Sequence, residues 1–414
     1  MSDISLALAV PLSIDWAPEQ LPGDVRVEPA ALRTHDGAAV PGLLYRRGTP
    51  STVVCLMHPR EYFGLHYLVP PLLRTGAAVW TQGSRSIGLD VRLEHEFALL
   101  DVAAGLVHLR ERGYTRIILL GNSGGAGLFC FYNEQAEQPP ADRLAKTAAG
   151  RPVPLHDAVL PRVDGIVLVA PHPGQGRLLM GCIDPSLVDE SDPFSVDPTF
   201  DPFASANGFS PKPGASRYSP EFVQRYREAQ VARISRLDDR ARALITRRMN
   251  ARARLKGDVP QPGDATLAAH TPIMTVWRTD ADLRCLDLSL DPSDRQPGSV
   301  WGADMLASNY GAVGFGRTCT PESWLSTWSG VSSQAAVQRT ATAIRCPALL
   351  VEYTGDQTTF PSTITDIVGW FGGETQHSRV RGDHHGRPLN PGEVPGRLLA
   401  GEVIARWLRE HDYI

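Results

Sequence analysis

Short apolar runs alternate with segments of helical spacing over roughly residues 25–170. Apolar runs bounded by glycine and proline are typical of buried strands, and helical segments between them indicate the crossovers of a mostly parallel sheet. The longest helical segment, over residues 92–112, carries leucine and valine at intervals of three and four. Strands are predicted at residues 51–57, 76–81, 116–120 and 165–170.

The alternation fails after residue 170 and resumes only near residue 347. Aspartate, proline, serine and glycine dominate residues 184–218, which predicts turns and loops. An arginine-rich helix is predicted over 220–254, with its arginines paired to acidic residues of the same helix, and β-type runs follow at 273–290. Strands are then predicted at 347–353 and 378–381, and helices at 361–371 and 396–411. The two ends of the chain are therefore expected to form one sheet, into which the middle is inserted.

The chain of 414 residues is 42% hydrophobic and 21% charged, which is the composition of an ordinary globular protein. Its net charge of -4 gives no overall attraction to nucleic acid or to an anionic membrane, so neither is expected as a partner. No run of 18 or more apolar residues predicts a spanning helix. The N-terminus opens with Asp3 and no basic residue, so no secretory signal is predicted.

Six cysteines are scattered without a C-x-x-C pair, and several lie inside apolar runs. The cysteines are therefore expected to be buried free thiols, which favours a reducing compartment and a cytoplasmic location. The twelve histidines show no H-E-x-x-H spacing, so no metal site is predicted. Trp301, Trp324 and Trp328 are interpreted as core residues of the middle region, with a homodimer contact as the alternative.

The strongest local signal is Gly121-Asn122-Ser123-Gly124-Gly125, which matches G-x-S-x-G directly after a predicted strand and opens a small-residue helix. A nucleophilic serine needs such a strained turn, which exposes its Oγ, and glycines beside it avoid Cβ clashes. The helix N-terminus also offers free N–H groups to developing negative charge. Ser123 is therefore predicted to be a nucleophile.

A serine hydroxyl needs a base to take its proton, and the base needs an orienting carboxylate. Asp356 stands just past a predicted strand, in the position that suits the acid. The base is expected on the loop after the last strand, where His384 and His385 are neighbours. The spacing of Gly382 and His385, with Gly386 following, favours His385, and His384 remains the alternative.

Acyl transfer also needs hydrogen-bond donors for the oxyanion. The backbone N–H of Gly124 is the first candidate, because it follows the nucleophile. The second donor is expected from the loop after the strand that ends at Met57, and since Pro59 has no N–H, Arg60 or else Glu61 is predicted. His58 is either a structural residue of that loop or a substrate contact.

The motifs Gly121-Asn122-Ser123-Gly124-Gly125, Gly355-Asp356 and Gly382-Asp383-His384-His385 resemble those of the α/β-hydrolase superfamily. The resemblance covers about residues 25–175 and 340–412. It implies an α/β fold with an eight-stranded, mostly parallel sheet flanked by helices, and a large cap inserted after the sixth strand. The domain boundaries then follow as residues 1–175 and 341–414 for the core and 176–340 for the cap.

Hydrolysis of a carboxylic ester, amide or lactone of a small to medium organic molecule is the chemistry expected from these residues, without metal or organic cofactor. A carbon–carbon bond hydrolase acting on a ketonic ring-cleavage product and an acyltransferase are the alternatives. A non-catalytic ligand-binding protein of the same fold is a further alternative, which would normally lack a member of the triad.

The loop that follows the strand predicted at residues 51–57 is expected to lie close to the acyl group. It carries His58, Arg60, Glu61 and Tyr62, of which His58, Glu61 and Tyr62 are predicted to contact substrate. The Arg60 guanidinium is a candidate for binding a substrate carboxylate bidentately, with pairing to Glu61 or to a cap residue as the alternative.

Overall fold

The computed structural model describes residues 20–88, 90–257 and 260–414. Eight strands form one sheet in the order β1-β2-β4-β3-β5-β6-β9-β10. β2 pairs antiparallel with β1 and with β4, and every other neighbouring pair is parallel. The strands of the sheet are β1 Arg26–Arg33, β2 Ala39–Arg46, β3 Thr52–Met57, β4 Ala78–Gln82, β5 Arg116–Asn122, β6 Gly165–Val169, β9 Ala348–Tyr353 and β10 Thr375–Val380.

The helices flank this sheet or belong to the segment between β6 and β9. Those of the first and last parts of the chain are α1 Val69–Leu73, α2 His95–Glu111, α3 Gly124–Glu137, α11 Pro361–Trp370 and α12 Gly396–Glu410. Those between β6 and β9 are α4 Gln175–Cys182, α5 Pro220–Lys256, α6 Asp264–Ala269, α7 Leu283–Leu286, α8 Met305–Tyr310, α9 Pro321–Ser323 and α10 Val337–Thr340. Short 3₁₀ turns occupy Asp90–Arg92, Pro140–Asp142, Ser205–Asn207 and Ala341–Ala343, and a π-helical turn spans Trp324–Trp328.

Both faces of the sheet are buried, which explains why its central strands read as continuous apolar runs rather than as alternating ones. Successive residues of β5 point to opposite faces, so Ile117 and Leu119 join one apolar cluster and Ile118 and Leu120 another. The first cluster packs against α2 and α3, and the second packs against α1 and α12. This sandwich holds the carboxyl end of β5 in a fixed position.

Residues 170–347 lie between β6 and β9, and they supply most of a third apolar cluster. Trp324 and Trp328 are fully buried in it, together with residues of α4 and α5. Hydrogen bonds join the π-helical turn to the start of α2, from His95 Nδ1 to Thr327 Oγ1 at 3.1 Å and from the Ser326 hydroxyl to the Glu96 carboxylate. The insertion is thus held against the sheet by buried polar contacts as well as apolar ones.

The predicted elements of the sheet and of the closing helix are confirmed within a few residues, and the arginine-rich helix is confirmed as α5. Two expectations about the middle region were wrong. The β-type runs at 273–290 yield only a two-residue strand, β7 Met274–Thr275, which pairs with β8 Thr318–Cys319 outside the main sheet. The arginines of α5 mostly pair outside their own helix, as Arg233 does with Glu190 and Arg227 with Asp282.

All six cysteines are free, and five of them are buried. Among residues 20–88, 90–257 and 260–414, no helix has the length and apolar character needed to cross a membrane. The expectation about a secretory signal falls on residues 1–19, which lie outside the described part of the chain.

Candidate active site

Ser123 occupies a sharp turn between the end of β5 and the start of α3, with φ 78° and ψ −116°. A positive φ is strained for a residue with a side chain, and it is maintained by the surrounding contacts. The Ser123 N–H donates to the Val169 carbonyl at 3.1 Å. A methyl group on Gly121 would lie 2.7 Å from backbone atoms of Gly125, and one on Gly125 would lie 2.6 Å from the Met57 carbonyl oxygen. The flanking glycines are therefore required by the close approach of β3, β5 and α3.

This turn stands at the carboxyl end of the fifth strand of the eight-stranded sheet and places the serine at the tip of a strand-to-helix elbow. The chain has the α/β-hydrolase fold. The residue before the nucleophile stabilises the elbow of this hydrolase fold, because the Asn122 amide donates to the Val169 carbonyl at 2.9 Å and its oxygen lies 3.1 Å from His66 Nε2.

A chain of hydrogen bonds runs from Ser123 through His384 to Asp356. His384 Nε2 lies 3.0 Å from the serine Oγ, and His384 Nδ1 lies 2.8 Å from Asp356 Oδ2. Asp356 follows β9 and His384 follows β10, so two adjacent strands deliver the carboxylate and the imidazole to the same edge of the sheet. The second carboxylate oxygen accepts from the N–H groups of Thr358 and Thr359 at 2.7 and 3.1 Å and from the Thr358 hydroxyl at 2.8 Å.

The structure brings His384 to the nucleophile, whereas the sequence favoured His385. The His385 ring lies edge-on to His384 with centroids 5.1 Å apart, and its backbone N–H donates to Asp383 Oδ1 at 2.9 Å. The tight turn closed by Gly386, whose φ is 65°, turns the first of the two histidines inward. Burial and the neighbouring charge of His384 lower the pKa of His385 to about 4.

The electrostatics of the pair match the roles of base and orienting acid. Burial lowers the pKa of His384, but the charge and the hydrogen bond of Asp356 outweigh it and raise that pKa above its ordinary value of 6.5. Burial likewise opposes ionisation of Asp356, and the charge and hydrogen bonds of His384 and Thr358 hold its pKa below 3.8. The carboxylate is therefore charged at neutral pH although it is only 3% exposed.

A second imidazole, from His172, also contacts the nucleophile. Its Nε2 lies 3.1 Å from the Ser123 Oγ, and its ring stacks on His384 at a centroid distance of 5.2 Å. The backbone N–H of His172 donates to the Ser123 carbonyl. Its Nδ1 is buried with no carboxylate partner among the described residues, and the Gln175 side chain is a hydrogen-bonding neighbour of the ring. Burial and the charge of His384 lower its pKa well below 6.5. Sequence reasoning missed His172, although its position just after β6, at the carboxyl edge of the sheet, was a usable signal.

Of the backbone N–H groups predicted to bind the oxyanion, that of Gly124 lies beside Ser123, whereas those of Arg60 and Glu61 have other partners. Gly124 is the first residue of α3, so its N–H has no partner within the helix and points toward the turn that holds Ser123. The Arg60 N–H instead donates to His58 Nδ1 at 3.2 Å, and the Glu61 N–H donates to the same nitrogen at 3.0 Å. Neither backbone donor predicted for this loop is therefore directed at a bound oxyanion.

The Arg60 side chain is paired, in line with the alternative to carboxylate binding, whereas the substrate contacts of Glu61 and Tyr62 stay predictions. The Arg60 guanidinium pairs with Asp90 at 2.6 and 2.9 Å and lies over the Trp328 ring, so it is not free to bind a substrate carboxylate. The Glu61 carboxylate is half exposed, and the Tyr62 ring lies against Gly64 of its own loop. Of the three predicted substrate contacts, only His58 lies beside Gly124.

No protein-family model matches the chain, and no curated protein matches it in sequence. Solved structures with a similar fold include DcsB in complex with a substrate analogue, at 12% identity and a TM-score of 0.47 over 93% of this chain and 99% of that one. The esterase Pf2001 of Pyrococcus furiosus is 11% identical, with a TM-score of 0.45 over 96% and 93%. Est1E of Butyrivibrio proteoclasticus with bound ferulic acid is 9% identical, with a TM-score of 0.44 over 93% and 100%. These likenesses carry no argument about the reaction of this chain.

Proposed function

We propose that this protein is a serine hydrolase that cleaves carboxylic esters of small to medium organic molecules through an acyl-enzyme. The observation that carries the proposal is the continuous hydrogen-bonded chain Ser123–His384–Asp356 at the end of the central strands. The hydrogen bonds from Ser123 Oγ to His384 Nε2, at 3.0 Å, and from His384 Nδ1 to Asp356 Oδ2, at 2.8 Å, have the lengths that activation of a serine nucleophile requires. Amides and lactones are cleaved by the same chemistry.

In the proposed mechanism the Ser123 Oγ attacks the carbonyl carbon of the substrate while His384 Nε2 takes the hydroxyl proton. The carbonyl π electrons move onto the oxygen, which the Gly124 N–H stabilises. Collapse of this intermediate breaks the bond to the alcohol oxygen, which leaves with the proton from His384. Water then attacks the acyl-enzyme in the same way, with His384 as the base, and releases the acid and Ser123. The Asp356 carboxylate stays ionised and hydrogen-bonded to His384 throughout.

We propose further that residues 176–340 act as a cap over this site. Two contacts support the assignment: Phe315 meets the His172 ring edge-on at 6.3 Å, and Trp328 lies under the Arg60 guanidinium at 5.5 Å. A cap that places aromatic side chains beside the nucleophile suits a partly apolar substrate and limits the access of water.

The direct test is hydrolysis of p-nitrophenyl acetate and p-nitrophenyl butyrate, together with labelling by a fluorophosphonate probe. Both signals are expected in the wild-type protein, and both are expected to vanish in Ser123→Ala. Ser51→Ala, which lies at the opposite end of the sheet, serves as the matched control. An absence of turnover and of labelling between pH 6 and 9 would contradict the proposal.

The same preparation distinguishes the two alternative reactions. Faster acyl transfer to an added alcohol than to water would indicate an acyltransferase. Release of an acid from a β-ketone substrate that contains no ester, with no turnover of esters, would indicate carbon–carbon cleavage.

A further inference from the structure

His58 follows β3 directly and is held in one protonation form. Its Nδ1 accepts hydrogen bonds from two backbone N–H groups, those of Arg60 at 3.2 Å and Glu61 at 3.0 Å. A nitrogen that accepts two such bonds carries no proton, so the single proton of the neutral ring is on Nε2. The loop thus presents His58 Nε2–H as a fixed donor.

The ring stays neutral over the pH range in which esterases are assayed. His58 is only 2% exposed, and burial, together with the neighbouring charge of Arg60, lowers its pKa well below 6.5. A buried neutral imidazole keeps one donor and one acceptor, whereas a charged one would lose its acceptor and with it the bonds from the loop.

The Nε2 atom of His58 is directed to the residue that follows the nucleophile. A methyl group built on Gly124 would lie 2.6 Å from His58 Nε2 and 2.2 Å from Gln175 Nε2. Both nitrogen atoms therefore border the space beside the Gly124 backbone that only a glycine leaves open. Gln175, the first residue of α4, is also 2% exposed, and its side chain is a hydrogen-bonding neighbour of the His172 ring.

We infer that the oxyanion site of this protein combines the Gly124 N–H with two side-chain donors, His58 Nε2–H and the Gln175 amide. The inference rests on the proposed function and assigns the donor that the backbone of the loop does not supply. When Ser123 Oγ bonds to the carbonyl carbon, the π pair moves to the oxygen and the three N–H groups donate to it without transferring a proton. When the intermediate collapses, the pair returns and the alcohol leaves.

This arrangement explains two features that the triad leaves unexplained. The N–H groups of Arg60 and Glu61 donate to the His58 side chain, which in turn directs its own donor, Nε2–H, to the space beside Gly124. A buried glutamine at the start of α4, directly before residue 176, also brings the beginning of the segment between β6 and β9 to the reaction centre.

The experiment measures kcat, KM and inhibition by a boronic acid, whose tetrahedral adduct with serine mimics the oxyanion. Removing one oxyanion donor lowers kcat by about 100- to 1,000-fold in other hydrolases, so a loss of about 100-fold is expected in His58→Leu and about tenfold in Gln175→Met. The KM is expected to change little, and the boronate affinity to fall in parallel with kcat. His58→Gln, which can return a donor, is expected to recover part of the loss. His108→Gln on α2 is the control.

A measurement on the unaltered protein guards against a His58 variant that fails to fold. A crystal structure of the wild-type boronate adduct is expected to place one boronate oxygen within hydrogen-bond distance of Gly124 N and His58 Nε2. An oxygen bound instead by the Arg60 or Glu61 N–H, or an undiminished kcat and boronate affinity in folded His58→Leu, would overturn the inference while leaving the proposed function intact. Failure of the wild-type protein to hydrolyse esters and to react with fluorophosphonate would instead overturn the proposed function.

Discussion

Two imidazoles approach Ser123 from opposite parts of the chain, and their surroundings differ more than their distances. His384, on the loop after β10, lies 3.0 Å from the Oγ, and His172, at the start of the inserted segment, lies 3.1 Å from it. His384 has a carboxylate on its second nitrogen, whereas no described carboxylate is hydrogen-bonded to the second nitrogen of His172. The pKa is raised in the first case and lowered in the second.

The carboxylate partner, rather than the distance to the Oγ, distinguishes the ring that we propose as the base. A hydroxyl has one proton, so only one of the two rings accepts it. Asp356 fixes the proton of His384 on Nδ1 and leaves its Nε2 as the acceptor, and His172 Nε2–H then donates to the remaining lone pair of the Oγ. We therefore expect very different costs when the two rings are removed.

The largest effect is expected in His384→Ala. Loss of the base leaves the serine hydroxyl unactivated, and kcat should fall by about 10⁶-fold, the cost found when a triad histidine is removed from other serine hydrolases. Steady-state ester hydrolysis measures it, with His377→Ala in β10 as the matched control. A loss below 100-fold in folded protein would contradict the assignment of the base.

The next largest effect is expected in Asp356→Asn, which makes the surroundings of His384 resemble those of His172. An amide cannot hold the imidazole in the correct tautomer, so kcat should fall by about 10⁴-fold. Burst kinetics with a p-nitrophenyl ester would locate the loss in acylation. Unchanged activity would mean that Asp356 has no orienting role.

His172→Ala is expected to cost only about tenfold in kcat, because it removes one hydrogen bond to the Oγ and leaves the base in place. His172→Gln keeps a donor and should lie closer to wild type. Stopped-flow acylation rates compare the variants. A loss as large as that of His384→Ala would show that the inserted segment supplies an essential proton acceptor.

His385→Ala is expected to change kcat by less than about threefold, since its ring reaches the nucleophile only through His384. The pair His384→Ala and His385→Ala therefore tests directly which of the two neighbours is the base. Equal losses in both would contradict the geometry of the loop.

The smallest effect is a shift in the pH profile. The base must be neutral to accept a proton, so kcat/KM should be lost as the pH falls through the pKa of His384, with a midpoint above 6.5. In Asp356→Asn the residual activity should show a midpoint at lower pH, because the carboxylate that raises the pKa is gone. An identical midpoint in both proteins would contradict this electrostatic coupling.

The sheet and the segment between β6 and β9 differ in how far their structures could be predicted from the sequence. The central strands β3, β4, β5, β6 and β9 are short, mostly apolar runs that are almost entirely buried, so each can be recognised from its own sequence. The inserted segment is organised instead by polar contacts between distant residues. Arg278 pairs with Asp184 at 2.6 Å across 94 positions, and Arg233 pairs with Glu190. Because no local pattern encodes such pairs, the β-type runs at 273–290 misled the prediction.

The sequence by itself determined the order of the sheet elements, the turn that carries Ser123 and the loops on which an acid and a base would lie, because these depend on local backbone chemistry. Only the tertiary structure decided between His384 and His385. The turn that ends at Gly386 directs the His384 ring to Ser123 and leaves the His385 ring edge-on to His384. The tertiary structure also revealed His172, which contacts Ser123 across 49 positions of the chain. It showed as well that the Arg60 and Glu61 N–H groups donate to His58, a local contact that no sequence pattern indicates. Local sequence thus specifies the elements, while side-chain convergence depends on how those elements pack.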